Sequence, residues 1–439
     1  MMTKKSVVKL GIGVVAALLL LSGCSAQTSG SSGSTDLNKV DYSGTITMAN
    51  KFADPTTSAF FPAMAKAYEK LHPKVKVNVQ QESDQGYKDK IKVLTTTHNL
   101  PDIYFSWAGD YAQQFVKAGF AMDITSQIGA DTTWGKTLAS SAVAAFEYSG
   151  KNYGIPLDLD AKFMLYNKKV FNDVGLAVPT TLDGLLNSCK TLKGSGIDPI
   201  AFGNKNGWPA IHYITQLNAY NVPAATLADD YNPKIGKFTD AGYVKALTQF
   251  KQILDDCTGS GAKSNGIDHN DAAVSFNSGK AAMMYQEWVE FGAVEGTQLA
   301  KDDWSFFQLP AATDVAGATD VITGAPDGFL INPKAKNPAL AVDFMKFVVS
   351  KDNAKIMQKL MVGYPSPVLG SLTADNSSPQ SVEALDVLNK ASGFAIWLDT
   401  VTAPPVAQAY LAGVEGLISE SLTPEGVMKS VQAAAASTH

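Results

Sequence analysis

The sequence contains no arginine, so all 36 of its basic residues are lysine. Arginine's planar fork is the usual means of gripping a carboxylate or phosphate through two parallel hydrogen bonds. Its absence favours a neutral ligand over an anionic one, although lysine still binds phosphate as a point charge. A formal charge of −5 and a pI near 5.6 supply no basic field for nucleic acid. Histidine is scarce, and His72, His98, His212, His269 and His439 form no zinc-ligand spacing with the cysteines. No metal and no cofactor are expected. Cysteine is rarer still: Cys24 stands alone near the start, while Cys189 and Cys257 form either one disulfide or two separate buried thiols. A nucleophile-elbow motif and a second apolar run long enough to cross a membrane are also missing.

What is present begins with an address. Lys4, Lys5 and Lys9 precede the apolar run Leu10 to Leu21, and Leu21-Ser22-Gly23-Cys24 closes it. This run is too short to span a bilayer comfortably and resembles a bacterial lipoprotein processing signal. The resemblance implies cleavage before Cys24, removal of residues 1–23 and acylation of the Cys24 thiol. Several acyl chains hold a protein on a membrane far more firmly than one does. Residues 24–41 then form a tether, since Ser25 to Thr35 are nearly all Ser, Gly, Thr, Ala and Gln and behave as flexible coil. The alternative, a plain secretory signal with Cys24 incidental, places the folded part outside the cytoplasm just the same.

Beyond the tether the pattern alternates. Thr45 to Ala49 reads as a strand, and Thr57 to Leu71 as a helix with Phe60, Phe61, Met64, Ala65 and Tyr68 on one face and Thr56 or Thr57 as cap. Val75, Val77 and Val79 alternate as in a half-solvated strand. Tyr87 to Leu94 reads as a helix, Asp102 to Trp107 as a strand and Tyr111 to Ala118 as a helix. Such alternation predicts an α/β sandwich on a largely parallel sheet. The chain then passes through Tyr153-Gly154-Ile155-Pro156 into a second lobe, which contains the helices Leu182 to Leu192 and Ala241 to Cys257. It returns near Phe329 and crosses once more at Tyr364 to Val368, leaving a mostly helical C-terminal part. Three crossings make a hinge.

Pro101-Asp102-Ile103-Tyr104 with Trp107, Tyr153 to Pro156 with Leu165-Tyr166-Asn167-Lys168, Phe276 to Gly279 with Ala282-Met283-Met284, Gly324 to Phe329, and Ala339 to Val349 follow one another in this order. Together they resemble the extracellular solute-binding proteins of bacterial ABC importers, in the carbohydrate-type family that includes maltose-binding protein. The resemblance spans residues 42–439. It implies an α/β, two-lobe periplasmic-binding-protein-like fold of type II with a three-segment hinge. The N-terminal lobe would comprise residues 42–158 and 329–365, the C-terminal lobe 159–328 and 366–439. It further implies a monomer that closes on a neutral oligosaccharide of the raffinose, isomalto- or xylo- type. Delivery would be to ABC permease subunits in the membrane, with the protein lipid-anchored on the outer face of the cytoplasmic membrane.

Sugar rings present apolar faces that stack on aromatic rings, and their hydroxyls need polar partners at the rim. Aromatic and polar residues stand side by side at the expected lobe edges: Asn50, Phe52 and Asp54 after the first strand, Trp107 and Asp110 after another, and Asp158, Asp160 and Lys162 at the first crossing. Trp208 with His212, Glu287 with Trp288, Asp327, and Trp397 with Asp399 complete the candidate ligand-binding set. Asp54-Pro55-Thr56-Thr57 also fits a helix-capping turn, and Asp158, Asp160 and Lys162 could instead pair across the hinge. Trp134 and Trp304 lack matching context and are read as core. No catalytic residue is assigned. The rival reading is a glycosidase using Asp110 and Glu287 as a carboxylate pair; delivery to a sensor kinase instead of a permease shares every feature above.

Overall fold

Alternating valines make Val75–Gln81 a strand. In the computed structural model, which describes residues 36–294 and 296–438, this strand pairs in parallel with Gly44–Asn50, which in turn pairs in parallel with Ile103–Trp107. Asp327–Ile331 then runs antiparallel to both Ile103–Trp107 and Gly154–Pro156, completing a five-stranded sheet. The expectation of a largely parallel sheet therefore holds for the first half only. Asp327–Ile331 enters from the far side after a long excursion, and its direction reflects that return rather than the local strand–helix alternation. The lipoprotein signal, Cys24 and most of the tether lie outside the described residues.

A second sheet has four strands in the order Trp304–Phe307, Lys162–Asn167, Ala281–Glu287, Asp198–Ile200. Its first two pairings are antiparallel and its last is parallel. The central strands of both sheets are buried. Ile103–Trp107, Ala281–Glu287 and Asp327–Ile331 are apolar or enclosed nearly throughout, as strands covered on both faces must be.

Helices cover the sheets according to their apolar faces. The helix Phe60–Leu71 buries Phe60, Phe61, Met64, Ala65 and Tyr68, and its Tyr68 hydroxyl donates to Asp343 Oδ2 at 2.6 Å. That bond joins it to the helix Pro338–Val348. The helix starts at Phe60 instead of Thr57, and no side chain caps it. Residues Asp54 to Ser58 form a turn, in which the Asp54 carbonyl accepts from the Thr57 and Ser58 amides, so the threonines serve the turn and not the cap. Against the second sheet, Trp208–Asn221 is buried nearly all round and packs on Ala241–Cys257 and Pro404–Ile418. Cys189 and Cys257 are joined by a disulfide with Cα atoms 5.0 Å apart. A cross-link over this span contributes about 2–4 kcal/mol.

Three chain segments pass between the sheets side by side. The Leu157 amide donates to the Asp327 carbonyl and the Leu159 amide to the Pro365 carbonyl, both at 2.8 Å. Contact is close enough that a Cβ on Gly324 would lie 2.2 Å from the Asp160 carbonyl oxygen. Only glycine fits there.

Candidate functional site

Two of the crossing segments carry charged residues, Asp158, Asp160 and Lys162 on the first and Asp327 on the second, and the edges of both sheets meet around them. On the first-sheet side, Lys51 follows the strand Gly44–Asn50 and pairs with Asp327 at 2.8 Å. Lys88, on the helix Asp84–Thr96, pairs with Asp84 at 2.8 Å. Both ammonium groups lie over the Trp107 ring, 5.2 and 4.9 Å from its centroid. Trp107 is opposite Asp327 in the strand register, so the pairing of two β-strands places the ring beside the ion pair.

The second-sheet side is built from Lys162, Trp208, His212, His269, Glu287 and Glu290. Lys162 and Glu287 are register partners on neighbouring strands. The Lys162 ammonium is fully buried, makes no hydrogen bond among the described residues and sits 4.9 Å from the Trp208 ring. Trp208, in the first turn of its helix, lies between two imidazoles, 5.0 Å from His212 and 4.5 Å from His269. His269 Nε2 lies 2.9 Å from Glu290 Oε1 and 3.0 Å from Gln286 Oε1. His212 Nδ1 is 3.5 Å from Glu287 Oε1, too long for a good hydrogen bond.

The C-terminal segment roofs this arrangement. Its short strand Gly393–Ala395 pairs with Val321–Thr323, and the Trp397 ring then stacks on His212 at 4.1 Å. Immediately beyond, Thr400 meets Gly109, the left-handed residue (φ +80°) that starts the helix Asp110–Lys117. A Cβ on Gly109 would lie 2.9 Å from the Thr400 carbonyl oxygen. The roof thus touches elements of both sheets.

Between the walls, Asp158 is fully buried, with Oδ1 accepting from the Asp327 amide at 3.0 Å and Oδ2 unpartnered among the described residues. Asp160 Oδ1 accepts from the Ala161 amide at 2.8 Å. Burial, then the neighbouring carboxylates Asp327 and Glu287, pushes Asp158 well above the usual carboxylate range; burial, Glu287 and Asp158 do the same to Asp160. Burial also raises Glu287, Asp327 and Asp399. Burial opposes the charge on Glu290 too, but His269 outweighs it and holds that carboxyl at about 2. Lys51 is likewise disfavoured by burial yet raised well above its ordinary value by Asp327 and Asp84. His212 is held well below 6.5 by burial first and by Lys162 and His269 next, so it is neutral.

Of the candidate residues, the structure brings together Trp107, Asp158, Asp160, Lys162, Trp208, His212, Glu287, Asp327, Trp397 and Asp399. Asn50 lies at the edge, its Oδ1 accepting from the Phe52 amide and its buried Nδ2 unpartnered among the described residues. Phe52 is placed in the first core, against Phe61, Phe105 and Tyr364. Trp288 is in the core beneath the second sheet and fully buried, because the chain turns into a 3-10 helix at that residue and carries the ring inward. Asp54 is exposed in its turn. Asp110 is held by Lys117 at 3.1 Å, while Glu287 shares its surroundings with Glu290, Asp158 and Asp160. Trp134 and Trp304 are core.

Lys51, Asp84, Lys88, His269, Glu290 and Tyr364 belong to the site and have no counterpart in the sequence reading. Lys51 stands between two residues that were singled out, and Tyr364 opens a recognised crossing. For His269 and Glu290, 21 positions apart, the sequence holds no signal of their meeting.

Comparison with known proteins agrees with this architecture. The chain is 27% identical over 343 residues to the multiple sugar-binding protein of Streptococcus mutans, covering 76% of this chain and 77% of that protein. It is 24% identical over 377 residues to the maltooligosaccharide ABC transporter solute-binding lipoprotein of Streptococcus pneumoniae, with coverage of 80% and 78%. A solved structure from work on xylan utilization by the thermophilic bacterium Caldanaerobius polysaccharolyticus superposes with a TM-score of 0.81 at 23% identity, over 89% of this chain and 99% of that one. Residues 53–355 match the family described as bacterial extracellular solute-binding protein, and the chain belongs to that family.

Proposed function

We propose that this protein captures a neutral oligosaccharide between its two lobes and delivers it to ABC permease subunits in the membrane. The observation that carries the reading is the pair of facing walls, each presenting a tryptophan beside charged groups: Trp107 with Lys51 and Lys88, and Trp208 with Lys162. Buried polar atoms without partners, on Asp158, Lys162 and Asp399, suit a ligand rich in both donors and acceptors, since such atoms are costly to leave unpaired. The lobes are residues 42–158 with 329–365, and 159–328 with 366–439. Relatives named for sugars and maltooligosaccharides support the ligand class and the importer. One of them is a lipoprotein, which supports acylation of Cys24 and a place on the outer face of the cytoplasmic membrane.

The protein acts by binding and closure, as a monomer and without catalysis. Ligand bridging the two walls stabilises the closed form, and the three crossing segments absorb the rotation. Isothermal titration of the protein against neutral di- to tetrasaccharides should reveal one preferred group, and Trp107→Ala and Trp208→Ala should each weaken it. Binding of a peptide or sugar phosphate in place of every neutral sugar would sink the ligand class. Release of reducing ends from the bound sugar would point to hydrolysis instead.

A further inference from the structure

Four carboxylates reach the enclosed space from three parts of the chain: Asp158 and Asp160 from the first crossing, Asp327 from the second, and Glu287 from the strand Ala281–Glu287. Few cations remain free to match them. Lys51 is taken by Asp327 and Lys88 by Asp84, both at 2.8 Å, while the His269 ring lies 2.9 Å from Glu290. Among the described residues, Lys162 is the ammonium without an ion pair whose charge acts on Asp160 and Glu287, while Asp158 feels Lys51 across its pair with Asp327. Asp399 from the roof adds a further carboxylate with Oδ1 unpartnered among the described residues. His212 faces the group as a neutral ring, and Tyr364 from the third crossing carries no charge at all in its buried setting.

An unpaired carboxylate out of water is expensive, and the usual resolution is that the group takes up a proton. Carboxylates that share one enclosed site do not all stay ionised. When the walls part, water reaches these side chains and they ionise as ordinary acids; when the walls close, water leaves and the surplus charge remains.

We propose that closure of this cleft on its ligand takes up protons from solvent onto the Asp158–Asp160–Glu287 group, so that capture tightens as the medium becomes more acidic. The inference rests on the reading of the enclosed space as the ligand cleft. The balance is simple: buffer or water releases each proton, and a carboxylate becomes a carboxylic acid that can then donate a hydrogen bond. The upward displacement of Asp158, Asp160 and Glu287 by burial has the required direction. His212 acts in the opposite sense below its ordinary 6.5, where solvent-exposed imidazole would charge and the buried ring resists. The carboxylate effect is therefore cleanest between about pH 6.5 and 8.

The test is calorimetric titration of the full chain in mild detergent with raffinose, xylotriose and maltotriose, in two buffers of unlike ionisation enthalpy. For a sugar that binds, the apparent heats should differ between buffers, and affinity should rise about threefold to tenfold per unit of falling pH between pH 8 and 6.5. Binding with equal heats overturns the proton uptake and leaves sugar capture standing. Silence with all three sugars overturns the capture reading and, with it, the inference that rests on it. For a sugar that binds, affinity should rise from pH 8 to pH 6.5 more steeply in the wild type than in Asp158→Asn and Asp160→Asn. Superimposable profiles overturn the inference.

Discussion

The two walls of the site differ in how their charges are held. On the first-sheet wall each ammonium has its carboxylate, Lys51 with Asp327 and Lys88 with Asp84, and the two pairs brace Trp107. On the second-sheet wall, where His269 lies 2.9 Å from Glu290, Lys162 has no hydrogen-bond partner among the described residues and His212 stands off from Glu287. A wall of closed pairs is a rigid surface whose charges contribute to folding. The other wall, with polar atoms left open, is finished only when something else supplies the partners. Under the proposed function the same residue types serve structure on one side and recognition on the other, and geometry separates them.

This contrast can be broken by substitution. The largest effect should come from Lys51→Met, which leaves Asp327 buried without its cation and should cost about 3 kcal/mol or more in urea denaturation. A loss under about 1 kcal/mol would show that the first-wall pair is not structural. Lys162→Met should do the reverse, lowering affinity for the bound sugar by about 30- to 100-fold, or roughly 2–3 kcal/mol, with a smaller loss of stability than Lys51→Met. Equal destabilisation by the two changes would erase the distinction between the walls.

A smaller effect concerns pH. Because His212 is held below its ordinary value, the folded protein binds fewer protons there than the unfolded chain. Its contribution to stability is present above pH 6.5 and is lost as the pH falls below it. His212→Gln should therefore flatten the decline between pH 6.5 and 5 by about 1 kcal/mol; an unchanged profile would show that the imidazole stacked on Trp397 is already free to charge. Smallest of all, Asp110→Asn removes an ion pair at a helix start, outside both walls. Stability should change by about 0.5 kcal/mol or less, with wild-type sugar affinity, and a marked loss of affinity would move Asp110 into the site.

Much of the fold was legible because local patterns are strong where both faces of an element are specified. The valine alternation of Val75–Gln81 and the apolar face of Phe60–Leu71 depend on neighbours within one turn or one pleat. Sheet order was less so. The antiparallel entry of Asp327–Ile331 depends on where the chain has been over more than a hundred and fifty residues, and no local period records that. In the candidate site, Trp107 stood out because it ends a strand, Trp208 because it follows a loop at an expected lobe edge, and Lys162 because it lies at the first crossing. Phe52 and Trp288 likewise stand by strand ends yet point into the cores, since one residue of offset along a strand end or a 3-10 turn reverses a side chain's direction.

By itself the sequence determined that this protein has no arginine with which to clasp an anion, that its elements alternate as in a two-lobed α/β fold, and that its middle is crossed more than once. Those properties follow from composition and from spacings of a few residues. Tertiary structure alone decided which charges would meet. Lys51 finds Asp327, His269 finds Glu290, and Lys162 finds no hydrogen-bonding partner among the described residues, because pairing across a sheet edge or a crossing is set by register and packing between distant segments. The strength of a charge–charge contact depends on distance and burial, and neither is written in the order of the residues.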